Sequence, residues 1–236
     1  MLSAECARLA ALEVLCPTAA LEGNEDFPTL AGDRILDTRL AVIDDLDPEQ
    51  KFTPVVSLFT ADASAQLRGD IAASDDVDLV STLEVVAELA VAATDENGDA
   101  FADAMPADDW DARLVLAALC AQVRRALQFT ERGYLFRRFV RHVRQVSEET
   151  FSVPQIGARW HRVTMRFELS LPDDTFDEAS GLPEPIATLS AILPATSPAR
   201  AKLEALAGHF SAFGRTPLAG VDFSDGGQTG FTVETE

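Results

Sequence analysis

The chain has 236 residues, 39 acidic against 19 basic side chains and a formal charge of −20. It is long enough to bury a sizeable core without disulfide or metal staples. Its acidity repels phosphate and so argues against a nucleic-acid-binding surface over most of the protein. The charge is uneven: residues 121–166 hold ten arginines against three acids, a local +7 that leaves −27 for the remainder.

Cys6, Cys16 and Cys120 have no paired spacing and read as small buried side chains in a reducing compartment. The N-terminus lacks a basic start followed by an apolar core, and no window approaches about eighteen uninterrupted apolar residues. Neither export nor membrane insertion is expected.

In chain order, Ser3 and Glu5 open a helix to about Cys16, with Cys6, Leu9, Leu12 and Leu15 or Cys16 as its stripe and Pro17 as its stop. Glu22 to Asp33 reads as loop, Arg34 to Ile43 as extended, and Asp44, Asp45, Asp47 and Pro48 break that segment. Pro54 to Thr60 is a strand, with proline tolerated at its first residue. Ala61 to Asp76, small and acidic, reads as a surface loop. Val77 to Val91 alternates apolar and polar residues as a strand does, with a helical reading through Leu79, Leu83, Val86 and Ala90 left open. Asp95 to Asp99 makes a turn leading to the central helix.

That helix starts at Asp108 and Asp109, whose carboxylates suit the positive end of the helix dipole. From Trp110, Leu114, Ala117, Ala118, Ala121 and Leu127 recur at three- and four-residue intervals, with Arg113, Arg124 and Arg125 late or outward and Gly133 ending the run. The small alanines predict close packing on a sheet. Tyr134 to Val146 fits a helical stripe and a strand face equally. From Arg159, Val163, Met165, Phe167, Leu169 and Leu171 alternate with Arg162, Thr164, Arg166, Glu168 and Ser170, a strand with one buried face. The expected fold is α/β (α+β): a mixed or antiparallel sheet with helices on one face over residues 1–171, then a Pro-rich C-terminal extension or small subdomain over 172–236. Within it Pro198 to Phe210 is helical, and Ile186, Leu189, Ile192 and Leu193 argue against disorder.

No catalytic, cofactor or metal constellation emerges. Asp95, Asn97 and Asp99 are spaced like calcium-loop ligands, but Ala100 and Pro106 stand where glycine and a bidentate glutamate are needed. His142, His161 and His209 are far apart, and Gly226 to Gly230 lacks the lysine of a phosphate loop. The adjacent pairs Asp75–Asp76, Asp108–Asp109 and Asp173–Asp174 do not face one another across a substrate, so they read as caps and solvated turns. The arginine block, with Arg137, Arg138, Arg141 and Arg144, suits carboxylate partners in the same chain or in a neighbouring copy better than DNA.

The order of elements and the stretch Gly133-Tyr134-Leu135-Phe136-Arg137-Arg138 resemble the tail terminator proteins of long-tailed bacteriophages, of the minor tail protein U type, over about the first 171 residues. The longer loops and the added C-terminal residues depart from that family. The resemblance implies a structural virion protein without enzymatic activity or cofactor, located in the tail or neck and assembled in the host cytoplasm. It would form a ring, typically a hexamer, on the last ring of tail tube protein and present a surface to the head-tail connector protein. DNA would pass through an acidic lumen without specific binding. Tyr134, Phe136, Arg137, Arg138, Arg141 and Arg144 are then expected at an intersubunit or partner interface. A head-side connector or stopper, or another head-tail completion protein, is the alternative. The second is an acidic cytoplasmic metal-dependent enzyme or regulator using carboxylates between residues 95 and 111.

Overall fold

The computed structural model describes residues 1–67, 77–94, 97–106, 110–153, 158–176 and 181–211. The carboxylates Asp75–Asp76, Asp95 and Asp108–Asp109 and the segment 226–230 lie outside them. The elements are α1 (Leu2–Leu15), α2 (Thr18–Leu21), β1 (Ile35–Asp37), β2 (Thr53–Leu67), β3 (Val77–Thr94) and β4 (Ala100–Ala104). They continue with α3 (Trp110–Phe129), α4 (Tyr134–Arg138), β5 (His142–Val153), β6 (Ala158–Leu171), α5 (Ile186–Ile192) and α6 (Pro198–Ser211).

The expected α/β fold is present, as one mixed sheet in the order β1-β2-β3-β6-β5, with β4 added to β3. Among the described strands only β1 and β2 run parallel. The alternation in β3 and β6 places Leu83, Val85 and Ala87 with Val163, Met165 and Phe167 on one face, where α3 and part of α1 cover them. α1 is buried nearly all round, as a helix between two apolar layers must be. Ala7, Ala11 and Val14 meet the sheet, while Cys6, Leu9 and Ala10 meet Ile186, Leu189 and Leu203 of α5 and α6.

Polar bonds hold the same junction. The backbone N–H groups of Leu2 and Ser3 donate to the Asp174 carboxylate at 2.8 and 2.6 Å, so Asp174 caps α1 from beyond β6. Arg8, nearly buried, pairs with Glu5 and Asp37, and Lys202 of α6 reaches Asp37 at 2.8 Å. Residues 182–203 therefore pack on the first layer instead of trailing from it.

Five expectations change, four of them in the strands and the turn after α3. β2 continues to Leu67, through residues read as a surface loop, because its backbone ladder to β3 runs on past a bulge between Thr60 and Asp62. There Ser81 Oγ donates to the Asp62 carbonyl at 2.6 Å. Of Arg34 to Ile43, only Ile35–Asp37 pairs as a strand. β4 follows directly on the turn at Asn97 and Gly98 (φ +90°), before the helix begins. Tyr134 to Val146 is neither one helix nor one strand but α4 followed by β5.

The largest change concerns α3, whose period is right but of whose expected stripe only Leu127 lies on the buried face. Leu116, Leu119, Val123 and Leu127 pack on the sheet, while Leu114, Ala117, Ala118 and Ala121 face outward.

Among the described residues no α-helix covers the opposite face of the sheet. Ion pairs cross it: Arg162 Nε to Glu88 at 2.6 Å, Arg166 Nε to Glu84 at 3.2 Å, and Arg144 to Glu168 at 3.8 Å. At its β1–β2 end, Ala41 and Leu46 pack on Leu36, Val55 and Ala90 and make a small second core there.

Candidate assembly interface

Five residues of the candidate site occupy the turn from α3 through α4 into β5, and Arg144 lies on β5 itself. The turn is tight: a Cβ on Gly133 would lie 2.3 Å from the Ala126 carbonyl oxygen and 2.6 Å from that of Leu127, so only glycine fits without a backbone shift. Thr130 Oγ1 donates to Ala126 O at 2.8 Å and accepts from the Gly133 N–H at 3.1 Å. Arg137 then turns back and donates to Leu127 O (3.1 Å) and Thr130 O (2.9 Å), a cation at the negative end of the helix dipole.

Two of the six predicted interface residues are therefore structural. Phe136 is fully buried in the main core and offers no contact surface, while Arg137, half-buried, holds the end of α3. Tyr134, Arg138, Arg141 and Arg144 do reach solvent, with Arg144 paired to Glu168. Arg141 is fixed at the start of β5 by its N–H to Ser170 O at 2.9 Å. β5 is an edge strand exposed at most positions, which leaves one side of its backbone open to pairing.

The arginines divide into two groups. Arg132, Arg144, Arg162 and Arg166 find Glu25, Glu168, Glu88 and Glu84 within the chain. Arg113, Arg124, Arg125, Arg138 and Arg141 are exposed and, among the described residues, have no carboxylate within salt-bridge distance. Three of these five lie on the outer face of α3, where Arg124 sits over the Phe129 ring at 6.0 Å.

The sequence reading missed two apolar patches. Trp110, Leu114 and Phe129 on α3 are 73%, 61% and 71% exposed, around the small Ala117, Ala118 and Ala121. Leu40, Val42 and Ile43 are exposed on the loop before β2, beside an open cleft of about 550 Å³ between that loop and the end of β3. The signal for the first was present: α3 carries apolar residues at both helical phases, more than one sheet contact needs.

Electrostatics at that loop are local. Asp45 accepts a fork from Arg39 (2.5 and 2.8 Å), which holds its carboxyl below the usual carboxylate range and raises the Arg39 guanidinium. Burial is the main cause that raises the three thiols, Cys16 to about 11 and Cys120 to about 12, with Cys6 higher still. None is a nucleophile near neutral pH.

Among the described residues no three His, Cys, Asp or Glu side chains converge as metal ligands, and no helix is long and apolar enough to cross a membrane. Compared with protein-family models and with curated proteins, the chain matches none.

Proposed function

We propose that the chain is a structural assembly protein that joins copies of itself into a closed ring, and that the ring serves as a bacteriophage tail terminator. One observation carries the self-assembly. Five exposed arginines lack a carboxylate partner among the described residues, in a protein with 39 acids and a net charge of −20. A neighbouring copy supplies carboxylates in excess, so contact between copies offsets charge on both sides. The tail-terminator assignment rests further on the resemblance, carried by the order of elements and by the stretch Gly133-Tyr134-Leu135-Phe136-Arg137-Arg138. Pairing between copies draws those arginines away from the lumen, and an acidic lumen lets DNA pass without gaining from counterion release.

Electron microscopy and native mass spectrometry of the purified chain at low ionic strength, alone and with tail tubes, test this. Closed rings that loosen as salt rises are expected, since exposed charge pairs are screened beyond roughly 10 Å at 0.1 M salt. A monomer under all these conditions would overturn it.

A further inference from the structure

We propose that the outer face of α3 on one copy docks on the Leu40–Glu49 loop and adjoining cleft of the next copy, a head-to-tail contact that builds the assembly. The inference rests on the self-assembly reading above and adds which two surfaces meet.

The two patches lie on opposite sides of the sheet. α3 packs on the side of Val163, Met165 and Phe167, and the loop packs through Ala41 and Leu46 on the side of Val55 and Ala90. Both expose apolar side chains that nothing among the described residues covers: Trp110 and Leu114 on α3, Val42 and Ile43 on the loop. Their charges are opposite. α3 has three arginines against one aspartate, while residues 39–51 hold four carboxylates against two cations. Arg39 is already engaged by Asp45, which leaves Asp44 and Glu49 exposed at the rim.

Charge also decides between the two ways a copy could cover α3. A symmetric antiparallel pair of α3 helices, centred on Ala117 and Ala118, brings Arg113 of each copy toward Arg124 of the other and has only Asp111 of each copy to set against three arginines. Docking on the loop sets those arginines against Asp44 and Glu49. It also gives Trp110, the most exposed large apolar side chain described, a place in the cleft lined by Ile43, Leu46, Phe52 and Ala90. A patch that meets a different patch on the next copy is a heterologous contact, the kind from which a ring is built when the rotation between copies closes.

A pair of broken surfaces tests the contact. Leu114→Asp with Arg124→Glu disables α3, and Val42→Asp with Asp44→Lys disables the loop; circular dichroism monitors the fold of each. Each variant alone is expected to lose rings and run as a monomer in native mass spectrometry, and an equal mixture to give a one-to-one dimer, which has one sound contact and cannot extend. A third variant, Trp110→Cys with Ile43→Cys, is expected to form covalent ladders under a mild disulfide oxidant. Rings persisting in either single-surface variant, a mixture that stays monomeric, or absence of ladders would overturn the docking while leaving self-assembly standing. Wild-type protein that never associates would overturn both.

Discussion

The two faces of one sheet, compared along β6, show what each side of a strand contributes. Val163, Met165, Phe167, Leu169 and Leu171 are buried under the helical layer, while Arg162, Arg166 and Glu168 between them meet solvent and cross-strand partners. The covered face supplies burial free energy and fixes register, because a slip of one residue would drive arginines into the core. The open face refines that register through pairs such as Glu84–Arg166 and Glu88–Arg162, directly opposite one another in the ladder. Apolar alternation is thus a statement about cover, and charge at the other parity about its lack.

The largest expected effect lies on the covered face. Phe167 is fully buried beneath the helices, so Phe167→Ala removes a ring and leaves a cavity, at about 3–5 kcal/mol. Urea unfolding followed by circular dichroism measures it, and the loss is expected to be nearly independent of salt. A cost under about 1 kcal/mol, the usual ceiling for surface changes, would mean the site is not packed as described.

That face was also the most legible in the chain. β6 and the first part of β3 are covered mainly on one side, so their period of two survives in the sequence, whereas residues 85–90 of β3 are buried on both faces. β2 over residues 61–66 is largely exposed and the short β4 is exposed at its start, both are rich in alanine and aspartate, and both are held by backbone pairing to β3, so no hydrophobic period marks them. α3 was legible as a helix and misread as a surface. With Leu116, Leu119 and Val123 on one side and Leu114, Ala117 and Ala121 on another, local spacing offers two stripes, and only the position of the sheet selects one. The same gap separates Phe136 from Tyr134 at the candidate interface: residues two apart on a helix point to different sides, and the core takes Phe136.

Glu88 tests the boundary between the two faces, since it belongs to the open parity yet is only 2% exposed. Its carboxylate meets Arg162 Nε at 2.6 Å, and Arg162 has a second carboxylate, Asp103, at 3.6 Å. Glu88→Ala is expected to cost about 2 kcal/mol, the scale of a buried bond to a charged group, reduced where Asp103 takes over the guanidinium. Arg166→Ala, farther into solvent on the same face, is expected to cost about 0.2–1 kcal/mol, and that loss fades at high salt. Equal costs at the two positions would erase the gradient in cover across the open face.

The smallest effect belongs to the loop that covers one end of that face, and its sign follows from Asp45. Its carboxyl is lowered mainly by the hydrogen bonds from Arg39, and the Val42 N–H adds a third at 2.9 Å. A group with a depressed folded pKa adds stability that is fully present above its unfolded value of about 3.9, and loses it as pH falls through the folded value. Asp45→Asn is therefore expected to lower stability by about 0.5 kcal/mol near neutral pH, as an exposed pair allows. The gap to the parent protein then closes as the pH falls below the ordinary carboxylate range. Thermal unfolding of both proteins over that range measures the difference. A gap that widened on acidification would place the favourable interaction with the protonated side chain, opposite to the Arg39 fork.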